Sequence, residues 1–373
     1  METFRLNSRL VASDKEFVIQ TAVDTQRQSV YSSVYINGEL TEVSRFAHPT
    51  DIGQDEIVSM VRARHDEKKS ELETMLASFR SALSSEEPVG PTRLATGLFY
   101  KGYHREAIEL LSHAVATDAE YHEAYSYLGR CYLIVGDVSQ AVAFARQAVE
   151  RRPGFADYRN HLGEALLEAG QYQPAIREFE EAIRINMYYA DAYFNLGLAL
   201  VSHLRSEQAP AEPGQLALRA VDSLKKASLI YPEYAQPEFD EALQLLSSGD
   251  FARCGKCLRL VRESKCEEQI REFAPFYMKY VLQPGGLSQR SLEDRIAYLQ
   301  KHIKKNPTYV DLHAELSTAY LEQARYALLQ AVKQMERTVR LNPSLTRLAA
   351  NLDQVQRQYA AVCSLLGRVV EKG

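Results

Sequence analysis

Long hydrophobic runs are missing from this sequence. No stretch of its 373 residues approaches the roughly 18 apolar positions a membrane-spanning helix needs. The opening METFRLNSRLVASDKEF lacks an apolar core of signal-peptide length, so a cytoplasmic chain is expected. Cysteine is scarce: Cys131, Cys254, Cys257, Cys266 and Cys363 are odd in number and far apart. That excludes a disulfide framework and fits a reducing compartment. Cys254-Gly-Lys-Cys257 has the spacing of half a zinc site, with Cys266 nine residues on, but no second CxxC completes it. Packing in a helix is the expected role of these thiols, and no metal is expected. HExxH, GxxxxGK[ST], GxGxxG and GxSxG are all absent, and His104, His113, His122 and His161 are scattered. The expectation is a chain with no catalytic residues and no cofactor.

What is present is an ordinary folded composition, with 46% hydrophobic and 25% charged residues, which argues against wholesale disorder. The net charge of −5 hides an asymmetry: residues 251–373 carry 20 Lys+Arg against 12 Asp+Glu, and residues 1–250 carry 24 against 37. The two halves are electrostatically opposite. Either this is drift on solvated faces, or the halves address different partners or each other in a neighbouring molecule. Arg253, Lys256, Arg259, Arg262 and Lys265 recur every three residues. On a helix they wind slowly around one side as a basic stripe. It is either solvated or a dock for an acidic partner. Nucleic acid is not expected, because the chain is acidic overall and the stripe has no interleaved aromatics.

An internal repeat dominates the middle of the chain. Leu-Gly returns at Leu128-Gly129, Leu162-Gly163 and Leu196-Gly197, 34 residues apart each time. Within one unit, Tyr125, Leu128 and Tyr132 share a stripe of a first helix, and Gly129 lets a second helix approach. Gly136 falls at the turn, Ala141, Ala145 and Ala148 line the second helix, and Pro153 stops it. Helix, turn, helix, stop is one unit of an α-solenoid.

These residues resemble the tetratricopeptide-repeat (TPR) family. The next unit carries Leu162, Gly163, Leu166, Gly170, Tyr172, Ala175, Phe179 and Ala182 in the family's pattern, with Met187 where proline is usual. The resemblance covers roughly 88–345. Units are expected near 88–121, 122–155, 156–189 and 190–234, the last with an insertion at 206–214. They continue with a degenerate unit at 235–268, a weak one at 269–309 and a recovered one at 310–345, before a capping helix at 346–373. The implied fold is mostly α, a right-handed superhelix of helix-turn-helix units. The family resemblance further implies a concave groove lined by each unit's first helix. Carried over, the groove positions are Tyr100, Tyr127, Arg130, Asn160, His161, Glu164, Phe194 and Asn195. The lysine-and-asparagine carboxylate clamp of chaperone-binding members is not reproduced, since Asp157 and Asp191 sit where positive charge would be wanted.

The first 50 residues read differently. FRLNSRLVA, EFVIQTAVD, SVYSSVYI and ELTEVSRF are β-rich and partly alternating, and Asn37-Gly38 is a type I′ hairpin signal. An antiparallel meander of three or four strands is expected over 1–50, followed by a connecting helix within 51–87 whose pattern runs from about Gln54 to Leu83. So small a sheet must lean on its helix, on the solenoid or on a second copy.

The implied function is a protein-interaction scaffold or adaptor that holds a protein or peptide in the groove. An alternative is a self-assembling structural protein, with the acidic half of one molecule against the basic half of the next or with homo-oligomers formed through the N-terminal module. A third is a regulatory subunit of an enzyme complex.

Overall fold

Period-two alternation at the start of the chain produces strands, because it gives a sheet one apolar face. The computed structural model describes residues 4–12, 15–50, 52–206, 213–281, 289–305, 310–342 and 346–372. The strands β1 (Arg5–Ala12), β2 (Lys15–Asp24), β3 (Ser29–Ile36) and β4 (Glu39–Ala47) form one antiparallel sheet in the order β1-β2-β3-β4. Asn37 and Gly38 both take positive φ, 50° and 87°, as the β3–β4 turn requires. Asn37 also reaches back to β2: its N–H donates to the Glu16 carbonyl and its Oδ1 accepts from the Glu16 N–H, both at 2.8 Å.

The helix α1 (Gln54–Leu83) lies across this sheet. Phe17, Ile19 and Val34 of the sheet share a core with Leu72 and Met75 of α1. A polar seam runs beside it. His65 bonds Ser8 Oγ through Nε2 at 2.7 Å and Thr21 Oγ1 through Nδ1 at 3.0 Å. Burial holds its pKa below the usual value, so the ring is neutral, with one nitrogen donating and the other accepting.

The same core continues into the first helix pair, α2 (Val89–Tyr100) and α3 (His104–Thr117), through Leu98, Leu110 and Leu111. A charged cluster secures this junction. Glu42 of β4 takes Lys68 of α1 at 2.6 Å, Lys101 at the end of α2 at 3.4 Å, and the Tyr103 hydroxyl at 2.9 Å. Glu71 joins Lys68 at 2.7 Å and also pairs with Lys101. Two carboxylates against two ammoniums leave the cluster neutral, the condition under which buried charge is tolerated. Burial would raise the Glu42 pKa, but Lys101 and Lys68 overcome it and hold the carboxyl below its ordinary range. Lys15 of β2 adds Glu106 and Glu109 of α3 at 3.0 and 3.1 Å.

The array continues as α4 (His122–Ile134), α5 (Val138–Arg151), α6 (Ala156–Glu168), α7 (Tyr172–Ile185), α8 (Ala190–Leu204) and α9 (Pro213–Ile230). Gly102, Gly136 and Gly170 turn the pairs at φ of 88°, 87° and 71°. In each turn the following N–H bonds back to the first helix at 2.9 Å, as in Tyr103 to Leu98 O, Asp137 to Tyr132 O and Gln171 to Leu166 O. The glycine of each Leu-Gly pair faces its partner helix. A Cβ at Gly163 would lie 2.5 Å from the Phe179 ring, and one at Gly197 2.6 Å from Leu224. First helices of successive pairs also touch, α2 with α4, α4 with α6 and α6 with α8. They therefore form the inner side of the curve.

Past α9 the arrangement changes. A 3-10 turn (Pro232–Tyr234) leads to α10 (Pro237–Ser248) and α11 (Phe251–Val281). The degenerate unit expected at 235–268 does form two helices, but α11 is 31 residues long where α3, α5 and α7 have 14. It packs on α8 and reaches α2, so it folds back across the inner side rather than extending the stack. The weak unit expected at 269–309 is instead the end of α11, a stretch outside the described residues, and α12 (Gln289–Lys305). The unit expected at 310–345 is one continuous helix, α13 (Val310–Leu341). The reason is local: no glycine or proline interrupts 310–341. The long α14 (Thr346–Lys372) packs along α13, and Ile296, Leu299 and Ala319 form a separate small core. Most of the insertion expected at 206–214 lies outside the described residues.

Two outcomes are expected. Gly163→Ala should destabilise the chain by about 1–2 kcal/mol. Overpacking a closed core costs about 1–3 kcal/mol, which exceeds the gain of up to about 1 kcal/mol in helix propensity. Gly154→Ala, where a Cβ meets nothing within 4 Å, should cost nothing, and urea denaturation compares the two. Glu42→Gln strands two lysines on one carboxylate and should cost about 2–3 kcal/mol, less than a fully buried pair because water reaches the cluster. A depressed carboxyl pKa stabilises above the ordinary 4.5 and is lost as pH falls through the lowered value. The gap between Glu42→Gln and wild type in denaturation midpoint should therefore be full at pH 7 and close in acid.

Candidate partner-binding groove

The inner face is built from α2, α4, α6 and α8, and α11 lies against it. The face carries polar clusters on α4 and α6 and at the start of α8, while further along α8 Leu198 and Val201 share an apolar core with Leu258 and Val261 of α11.

At one end, Arg130 of α4 stands over aromatic rings. Its guanidinium carbon is 4.3 Å from the Phe99 centroid, 5.3 Å from Tyr127 and 5.8 Å from Tyr100. An arginine so placed is held by the ring faces as well as by charge. In the middle is an amide–carboxylate cluster. Asn195 of α8 donates to Glu164 Oε1 at 2.7 Å and to Asn160 Oδ1 at 3.0 Å, and Asn160 donates to the same Glu164 oxygen at 3.1 Å. The chain thus spends these two amides on one carboxylate. Burial pushes the Glu164 pKa up despite Arg262, Arg130 and the Asn195 bond. His161 bonds Ser126 at 3.0 Å and is held neutral, its pKa well below the usual value through burial.

Of the eight expected groove positions, Tyr100, Tyr127, Arg130, His161 and Glu164 lie at this face partly exposed, and Asn160 and Asn195, 2% and 3% exposed, are buried in the Glu164 cluster. Phe194 does not lie at this face. It is 1% exposed and stacks on Tyr234 at 4.5 Å, inside the main core. The position before Asn195 points inward here, where a large ring fills the space between α8 and the turn at Pro232–Tyr234.

The basic stripe is mostly engaged by the chain itself. Arg253 pairs with Glu241 at 3.0 Å. Arg259 and Arg262 meet Glu168 of α6 at 3.4 and 2.7 Å. Lys265, only 7% exposed, pairs with Asp191 of α8 and bonds the Tyr234 hydroxyl at 2.9 Å. Its ammonium stands 4.6 and 4.3 Å from the ring centroids of Tyr231 and Tyr234. Tyr234 closes the arrangement by donating to Asp191 at 2.6 Å. Lys256 is exposed. Residues Glu168, Tyr231 and Tyr234 carried no motif that marked them; the charge asymmetry between the halves bore on Glu168 alone. Cys254 and Cys257 lie in the core beside Leu258 and Val261, and Cys266 is exposed.

This geometry defines a class: stacked helix pairs with a polar, aromatic inner face. Residues 98–203 are tetratricopeptide repeats, since residues 98–165 match a tetratricopeptide-repeat family model and 163–203 match a second TPR model. No curated protein sequence matches the chain. Among solved structures it is similar to MamA from Desulfovibrio magneticus RS-1, at 20% identity over 47% of this chain and 92% of that one, TM-score 0.36. It is also similar to YrrB, described as a TPR protein with an unusual peptide-binding site, at 16% identity over 53% of this chain and 97% of that one, TM-score 0.37. A thermophilic TPR protein of Thermus thermophilus matches at 20% identity over 62% of this chain and 97% of that one, TM-score 0.35. Among the described residues no helix is long and apolar enough to cross a membrane.

A pH dependence follows from Glu164. A carboxyl with a raised folded pKa costs stability as pH rises from its ordinary 4.5 through the raised value, because the unfolded state ionises first. Glu164→Gln should remove that cost: its melting temperature should equal wild type near pH 4.5 and match or exceed it at pH 8. Calorimetric melts at both pH values check this, and a variant less stable than wild type at pH 8 would show that the charge is needed.

Proposed function

We propose that this chain is a protein-interaction scaffold whose binding surface is the inner groove of α2, α4, α6 and α8. One observation carries the reading: the groove already holds a helix, α11, through ion pairs and cation–π contacts from Glu168, Asp191, Tyr231 and Tyr234. A surface that seats a helix of its own chain has the shape and polarity to seat one from another. The tetratricopeptide repeats at 98–203 support an interaction role in general terms. The mechanism is a pre-organised surface: the Arg130 aromatic cluster and the Glu164 amide cluster are fixed by the fold, so a partner does not have to order them.

Head-to-tail self-assembly drew its support from opposite-charged halves. Arg259, Arg262 and Lys265 meet acids within one molecule, so for those three the charge opposition does not by itself call for a second copy.

Photo-crosslinking tests the groove. A benzoyl-phenylalanine at Tyr127, on the inner face, should capture a partner in lysate that the same residue at Arg146, on exposed α5 surface, does not. Capture at Arg146 alone would move the binding surface to the outer helices.

A further inference from the structure

The α11 helix has two parts with different physics. Its first turns bury Cys254, Leu258 and Val261 in the core that α8 and α10 share. Gly255 is the crossing point, where a Cβ would lie 3.0 Å from Arg205 Nη1 and 3.7 Å from Val201. From there α11 runs antiparallel to α8, toward Asp191 at its other end, and on to α2. The α10 helix has 12 residues, too few to support a 31-residue partner along its length. The second part therefore depends on the groove. Residue 275 within it is proline, which cannot donate a helix hydrogen bond and costs about 3 kcal/mol in a helix interior.

What holds the start of that second part is specific. Lys265 enters a cage of one carboxylate and two phenol rings, Asp191, Tyr231 and Tyr234, and is nearly excluded from water. One turn earlier Arg262 reaches Glu168. Lysine is rarely buried unless its charge is matched, and here acid, hydroxyl and ring faces all match it. The groove acids belong to the acidic half of the chain and the inserted cations to the basic half.

We propose that the groove recognises a basic helix carrying Arg-x-x-Lys, with Glu168 taking the arginine and the Asp191–Tyr231–Tyr234 cage taking the lysine, and that α11 occupies both positions as an internal ligand a partner helix displaces. This rests on the reading of the groove as the binding surface and adds the chemistry of its ligand. The cis ligand lowers the apparent affinity for any external helix by the fraction of molecules in which α11 is released.

The test uses the full chain and a labelled synthetic peptide of residues 251–267, followed by fluorescence anisotropy. In the Arg262→Ala/Lys265→Ala chain, α11 is loosened and the acids are uncovered. That variant should bind the peptide at least ~10-fold more tightly than wild type, and hydrogen exchange over 262–281 should rise. A peptide with Lys265→Glu should lose the gain. Lys265→Gln in the full chain, a milder change of similar length, gives the same reading if the double variant does not fold. Equal affinity for wild-type and opened chains, or no binding to an opened chain whose α11 exchanges freely, would overturn the proposal. So would a dimer formed on opening, which assigns the groove to a second copy. If crosslinking at Tyr127 still captures a partner while the peptide fails, the groove reading stands and the basic-helix chemistry alone is lost.

Discussion

The close approach of two helices at a residue without a side chain governs this structure. At Gly129, Gly163 and Gly197 the second helix of a pair comes so near that a Cβ would fall 2.5–3.0 Å from its neighbour's atoms. That contact fixes the packing within each pair. A left-handed glycine after the first helix fixes the turn. Repeating both every 34 residues stacks the pairs with their first helices inward, and the inward side becomes the groove. The polar groups of that groove are placed by backbone geometry set elsewhere, which is why they can be both ordered and varied.

The groove's electrostatics follow from its depth. Glu164, Glu168 and Asp191 gather acid on one curved face, where partial exclusion of water makes an unmatched carboxylate costly. The chain answers in two ways. Side-chain amides from Asn160 and Asn195 satisfy Glu164 locally. A basic helix from the far half satisfies Glu168 and Asp191. The first arrangement lies within the stacked pairs, and the second comes from α11, whose first turns are buried in the core with α8. Three cations of the basic half thus meet two acids of the acidic half inside one molecule.

The N-terminal sheet solves a different problem. Four strands cannot bury both faces, and here one face takes α1 while the β4 side is tied to the first repeat through Glu42, Lys68, Glu71, Lys101 and Tyr103. The shared apolar core from Phe17 to Leu111 makes the sheet and α1 a cap on the solenoid's exposed first pair.

Much of this was legible in one dimension. Alternation and Asn37-Gly38 announced a meander, the spacing from Gln54 to Leu83 announced α1, and Leu-Gly with its turn glycines announced the helix pairs, because each signal is local: a φ sign, a missing Cβ, a period. The departures arose where local signals were weak or silent. Gly249, at φ 82°, turns α10 into α11 as the earlier turn glycines do, but nothing nearby said where α11 would end or which way it would lie. Phe194 read as a groove residue until its ring was found stacked on Tyr234, 40 positions away. The basic stripe read as either a solvated face or a dock for an acidic partner, and Arg262 and Lys265 lie against acids of their own chain. The sequence by itself determined the helix pairs from α2 to α9, since backbone conformation and helix contact within a pair depend on neighbours 34 residues away or fewer. Only the tertiary structure decided what fills the groove, since a pair such as Arg262 and Glu168, 94 residues apart, is chosen by shape and charge across the folded molecule and leaves no periodic trace along the chain.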